Sequence, residues 1–139
     1  MIANGQYRLQ FAQSSNDLGV TAAQGAPDLV LSPEQGDGAK WTVTFDGTDS
    51  YTLRNVATGL YLGSDSDVSR MAPLLRGAAA PFPWRIERSV NGPEGTFTLS
   101  PRDSKGQMWL APSIVMAFPP PVAWQPAHLG PHFWRLVKV

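Results

Sequence analysis

Three stretches of the chain alternate apolar and polar residues in the same way: "GQYRLQF" (5–11), "DSYTLRN" (49–55) and "GTFTLSP" (95–101). Each sets an aromatic residue two positions before a leucine, as Tyr7 and Leu9, Tyr51 and Leu53, Phe97 and Leu99. A period of two puts those side chains on one face of a strand, so each stretch predicts a strand with one buried face. A short apolar piece follows each of them: "LGVT" (18–21), "LYLG" (60–63) and "MWLA" (108–111). Each unit then closes on a tryptophan with an aliphatic residue two positions on. These are Trp41 and Val43, Trp84 and Ile86, Trp134 and Leu136. The pattern recurs about every 45 residues. Hairpin signals separate its pieces, "NG" at 4–5, "DG" at 46–47 and "NGPEG" at 91–95,.

With about four strands per unit, the chain reads as one domain of three pseudo-repeats, roughly 1–47, 48–92 and 93–139. A propeller needs about four blades, whereas three such units resemble an all-β β-trefoil, a closed barrel with a cap of hairpins. The three tryptophans are then expected in the barrel core, where buried aromatic area counts most. "QGDGAK" (35–40) reads as a tight turn between strands, and "NVATG" (55–59) as a hairpin turn.

Composition narrows the picture. A chain of 139 residues is long enough for a real core,, and thirteen glycines with thirteen prolines argue against long helices,. There is no cysteine, hence no disulfide and no thiolate metal site,. The opening residues lack the apolar core of a signal peptide, and no run approaches the roughly 18 apolar residues of a membrane span. The expectation is a cytoplasmic monomer without a membrane partner. Eleven basic residues balance eleven acidic ones, with a pI near 6.7. No basic stripe suits nucleic acid.

Catalytic chemistry finds little to use. His128 and His132 stand in "HLGPH", but Gly130 and Pro131 break the helix that would bring an i, i+4 pair onto one face,. Neither a nucleophile elbow nor a phosphate-binding loop is present. Asp65 and Asp67 lack the spacing of a calcium loop. No enzyme, metal or cofactor is expected, and function should lie in loops carried by the scaffold.

Two kinds of binder fit such a scaffold. The chain resembles the small cysteine-free β-trefoil peptidase inhibitors of mushrooms, the mycospin and mycocypin groups, in its length, its early "GQYRL" strand and its W-x-aliphatic strands. The resemblance implies a fungal defensive protein whose partner is a serine peptidase, trypsin- or chymotrypsin-like. The mycospin reactive loop corresponds to "AAQGAP" (22–27), which has no basic residue. The equivalent second-repeat loop offers Arg70 as the primary residue, with Val68, Ser69, Met71 and Ala72 around it. Arg54 or Asn55, in the loop the mycocypins use, is an alternative bait. Met116 or Phe118, in the Pro-rich third-repeat loop, is another. The other class is a carbohydrate-binding trefoil of the ricin type. Such lectins carry Q-x-W in each repeat, but Ala39, Phe82 and His132 stand where glutamine would. A sugar site needs an aromatic plate with convergent polar groups. Tyr61 with Asp65 or Asp67, and Trp109 or Trp124, are the candidates for glycans.

Overall fold

The alternating segments form strands in the computed structural model. It describes residues 2–12, 18–22, 29–33, 36–63, 75–89, 92–102, 108–112, 122–126 and 132–139. The first repeat holds β1 (Gly5–Phe11), β2 (Gly19–Thr21), β3 (Val30–Ser32) and β4 (Lys40–Phe45). The second holds β5 (Tyr51–Asn55), β6 (Tyr61–Gly63), β7 (Arg76–Ala78) and β8 (Trp84–Arg88). The third holds β9 (Phe97–Pro101), β10 (Met108–Pro112), β11 (Val122–Pro126) and β12 (Trp134–Lys138). A 3-10 turn, Asp37–Ala39, leads into β4. No helix among the described residues is long and apolar enough to cross a membrane.

The first and last strands of each repeat close into a ring of antiparallel neighbours, β1–β4–β5–β8–β9–β12 and back to β1. Closure leaves this barrel without an open edge. The other strands pair as three hairpins, β2–β3, β6–β7 and β10–β11. The hairpins are joined by a cycle of backbone bonds: Leu29 N–H to Leu75 O (3.1 Å), Leu75 N–H to Val122 O (2.8 Å), and Val122 N–H to Leu29 O (3.0 Å). The architecture is a β-trefoil, as the three repeated patterns imply.

The core repeats with the same symmetry. Leu9, Leu53 and Leu99 from the opening strands, Val20, Leu62 and Leu110 from the first hairpin strands, and all three closing tryptophans are fully buried. A buried indole needs an acceptor for its N–H. Trp41 Nε1 donates to Val20 O (2.9 Å), Trp84 Nε1 to Leu62 O (2.8 Å) and Trp134 Nε1 to Leu110 O (2.9 Å). Each tryptophan therefore ties its barrel strand to the hairpin of its own repeat.

Turn chemistry follows the sequence in part. Asp46–Gly47 turns β4 into β5, with Gly47 at φ +92° and the Asp46 carboxylate accepting the Thr48 N–H (2.9 Å). Asn4–Gly5 turns no hairpin. Gly5 opens β1, and the Asn4 side-chain oxygen accepts the Phe45 N–H (2.9 Å) at the end of β4.

Candidate functional site

The threefold core fixes which surface positions correspond. Val20, Leu62 and Leu110 each receive an indole N–H, so the residues before them, Gly19, Tyr61 and Trp109, are equivalent. Following the buried barrel leucines come Gln10, Arg54 and Ser100. Pairing of β1 with β2 sets Gln10 opposite Gly19, and pairing of β5 with β6 sets Arg54 opposite Tyr61. The same backbone thus carries an amide opposite glycine in the first repeat and a guanidinium opposite a phenol in the second, while Ser100 of the third is buried.

The second repeat builds its pair through the turn between β5 and β6. Asn55 is buried, and its amide Nδ2 donates to Gly38 O (2.9 Å). Its Oδ1 accepts the backbone N–H groups of Ala57 and Thr58, each at 3.0 Å, an Asx-type lock on the turn,. Gly59 follows at φ +72°, a left-handed conformation that glycine adopts without strain,. Its carbonyl accepts Arg54 Nε at 2.8 Å. With one nitrogen so fixed, the guanidinium carbon lies 5.6 Å from the centroid of the Tyr61 ring, within cation–π range,. Arg54 is exposed, Tyr61 half-buried, and neither joins any of the ion pairs among the described residues. Leu60, also exposed, overlies the backbone at Gly77, where a Cβ would come within 2.9 Å of the leucine side chain.

This geometry decides how two of the sequence candidates can act. A peptidase bait must present an extended backbone and a free side chain. Asn55 presents neither, because its side chain is sealed inside the turn that it holds together. Arg54 is exposed, but its backbone lies in a strand flanked by Thr42 on β4 and Tyr61 on β6. A peptidase would have to displace one of those ladders to pair with it. Residues 55–59 form the hairpin turn between β5 and β6, which the Asn55 side chain holds from inside.

In the third repeat Trp109 lies half-buried on β10 opposite Gln125, and Trp124 lies on β11 opposite Leu110. Val68, Ser69, Arg70, Met71 and Ala72 lie outside the described residues, as do Asp65, Asp67, Met116, Phe118 and His128. His132 is half-buried, its ring 6.2 Å from that of Phe11, and its Nδ1 is buried without a hydrogen-bond partner. Burial holds its pKa below the ordinary 6.5,. No three His, Cys, Asp or Glu residues among the described ones come together as a metal site. The pairing of Arg54 with Tyr61 was missed by the sequence reading. The signal for it was present, since a hairpin turn at 55–59 folds residue 54 back onto residue 61.

A family model described as ricin-type beta-trefoil lectin domain-like matches residues 2–74. Among solved structures, the chain is similar to a ricin B-like lectin of Macrolepiota procera in complex with lactose. That match has 19% identity and a TM-score of 0.81, and it covers 100% of this chain and 99% of that one. It is similar as well to the Rhizoctonia solani agglutinin, with 21% identity, a TM-score of 0.80 and coverage of 100% and 98%. A Polyporus squamosus lectin, bound to the epitope Neu5Aca2-6Galb1-4GlcNAc, matches with 16% identity and a TM-score of 0.74, covering 99% of this chain and 50% of that one. No curated protein sequence matches the chain.

Proposed function

The chain belongs to the ricin-type beta-trefoil lectin domain-like family, and from that premise we propose that it is a carbohydrate-binding module. Family membership carries this reading. The lectins it resembles in fold were captured with lactose and with a sialylated trisaccharide. The site geometry fits the same chemistry. A sugar offers an apolar C–H face ringed by hydroxyls, so its site combines an aromatic side chain with a few fixed polar groups. Tyr61 and Trp109 supply rings at equivalent places on two hairpins, and Arg54 supplies a donor fork beside the first.

The glutamine of Q-x-W is absent here, with Ala39, Phe82 and His132 in its place. Tryptophan nevertheless keeps its structural tie in every repeat, because that tie runs through the indole N–H and needs no glutamine. The polar contacts to sugar must accordingly come from other positions, and those flanking Tyr61 and Trp109 are the ones we assign. The peptidase-inhibitor reading draws no support from the family or from the fold's neighbours.

A glycan array probed with the whole protein, run beside a panel of serine peptidases, tests the reading. Selective glycan binding that weakens in Tyr61→Ala or Trp109→Ala is expected. Inhibition of a peptidase with no glycan bound anywhere on the array overturns it.

A further inference from the structure

We propose that Arg54 and Tyr61 make the second repeat a site for an acidic sugar, one that carries a carboxylate or a sulfate ester. The inference rests on the carbohydrate reading above and adds the charge of the ligand to it. The threefold scaffold does not require an arginine at this place, since Gln10 and Ser100 fill the equivalent positions on the same fold. Arg54 joins none of the ion pairs among the described residues. It is nonetheless held in place, by Nε on the Gly59 carbonyl at 2.8 Å and by the Tyr61 ring at 5.6 Å.

One donor is committed and the terminal nitrogens remain for a ligand. A side chain at position 59 would rest 3.6 Å from Nη2, and glycine leaves that nitrogen uncovered. A planar guanidinium held by its Nε matches two oxygens of a carboxylate or sulfate in a bidentate contact. Prior fixing lowers the ordering cost of binding, which is large for a free arginine. The half-buried Tyr61 ring gives apolar surface beside the fork for the C–H face of the same sugar unit. With the guanidinium lying at its ring, Tyr61 is a cationic surface, whereas no arginine stands at the position equivalent to 54 beside Trp109.

Calorimetric titration of the whole protein with lactose, sialyllactose and sulfated lactose tests this, using the wild type, Arg54→Gln and Arg54→Lys. Melting curves check that both variants stay folded, as expected for an exposed side chain. The wild type should prefer at least one acidic probe over lactose. Arg54→Gln should weaken that probe by about tenfold to a hundredfold, the scale of one hydrogen bond to a charged group. Arg54→Lys, keeping the charge and losing the fork, should fall between the two. The two acidic probes tell carboxylate from sulfate. An acidic probe bound equally by Arg54→Gln overturns the proposal, as does inorganic sulfate bound as tightly as sulfated lactose. Lactose bound as tightly as both acidic probes overturns the acid preference and leaves the carbohydrate reading standing. No probe bound, with a blank glycan array, overturns both.

Discussion

Asn55 shows how much of a surface turn can depend on one side chain. Its amide faces two ways, donating across the strands to Gly38 O and accepting the N–H groups of Ala57 and Thr58. Gly38 O also receives the Ala22 N–H at 2.9 Å, so that carbonyl keeps a partner if Asn55 is removed. The two turn N–H groups are only partly buried, and water can reach them in part. Asn55→Ala should therefore cost about 1–3 kcal/mol, mostly through the turn, read as a lower midpoint in urea. Asn55→Asp keeps the acceptor and loses the donor, so it should retain the turn while setting its carboxylate against the Gly38 carbonyl. A change below about 0.5 kcal/mol in Asn55→Ala would contradict the lock. The residue reads ambiguously in the sequence, because asparagine before a short turn suits an exposed bait as well as a buried lock. What separates the two is Gly38, a partner 17 residues away that no local pattern places.

At the scale of the elements, the tryptophans join layers that the hydrophobic pattern alone leaves separate. Each barrel-closing strand is held to a three- or five-residue hairpin strand of its own repeat by one indole bond and the burial of one large ring. Trp84→Phe retains most of the ring and loses the N–H to Leu62 O. The expected cost is roughly 2–4 kcal/mol, from the lost hydrogen bond and the space left by the smaller ring. Thermal unfolding measures it, and a change below about 0.5 kcal/mol, the range of ordinary surface substitutions, would contradict the tie. The barrel strands were legible because five to seven residues of alternation against a buried face leave a clear period. Three-residue hairpin strands such as Tyr61–Gly63 are too short to show one, and they emerged only through repetition. Of the candidate sugar residues legible in the sequence, Tyr61, Trp109 and Trp124 lie on hairpin strands, while Asp65 and Asp67 lie outside the described residues. The place of Arg54 beside Tyr61 depends on the turn at 55–59, which brings the two residues opposite each other across β5 and β6.

Across the whole molecule, the barrel exists only when β12 closes on β1. That seam runs through five residue pairs, from Tyr7 opposite Lys138 to Phe11 opposite Trp134. Beyond its last pair, Ala12 N–H reaches Phe133 O at 2.9 Å. His132 sits next to that bond, its ring near Phe11 and its Nδ1 buried without a partner. Burial disfavours the charged imidazolium by removing it from water, which lowers the pKa,. In the unfolded chain the imidazole takes up its proton at the ordinary value of 6.5, and in the folded chain only below it. Between those two values the unfolded state holds more protons, so stability rises with pH there. The stabilisation from a neutral His132 is complete above 6.5, declines as pH falls toward the folded pKa, and from this group declines no further beneath it. His132→Phe keeps a ring beside Phe11 and removes the titration. Melting temperatures of the two proteins, followed from pH 7.5 down to 5, should accordingly diverge below pH 6.5, with the wild type falling faster. Taking the difference between the two curves cancels the groups they share. Parallel curves through that window would show that the closing seam carries no acid-sensitive contact at His132.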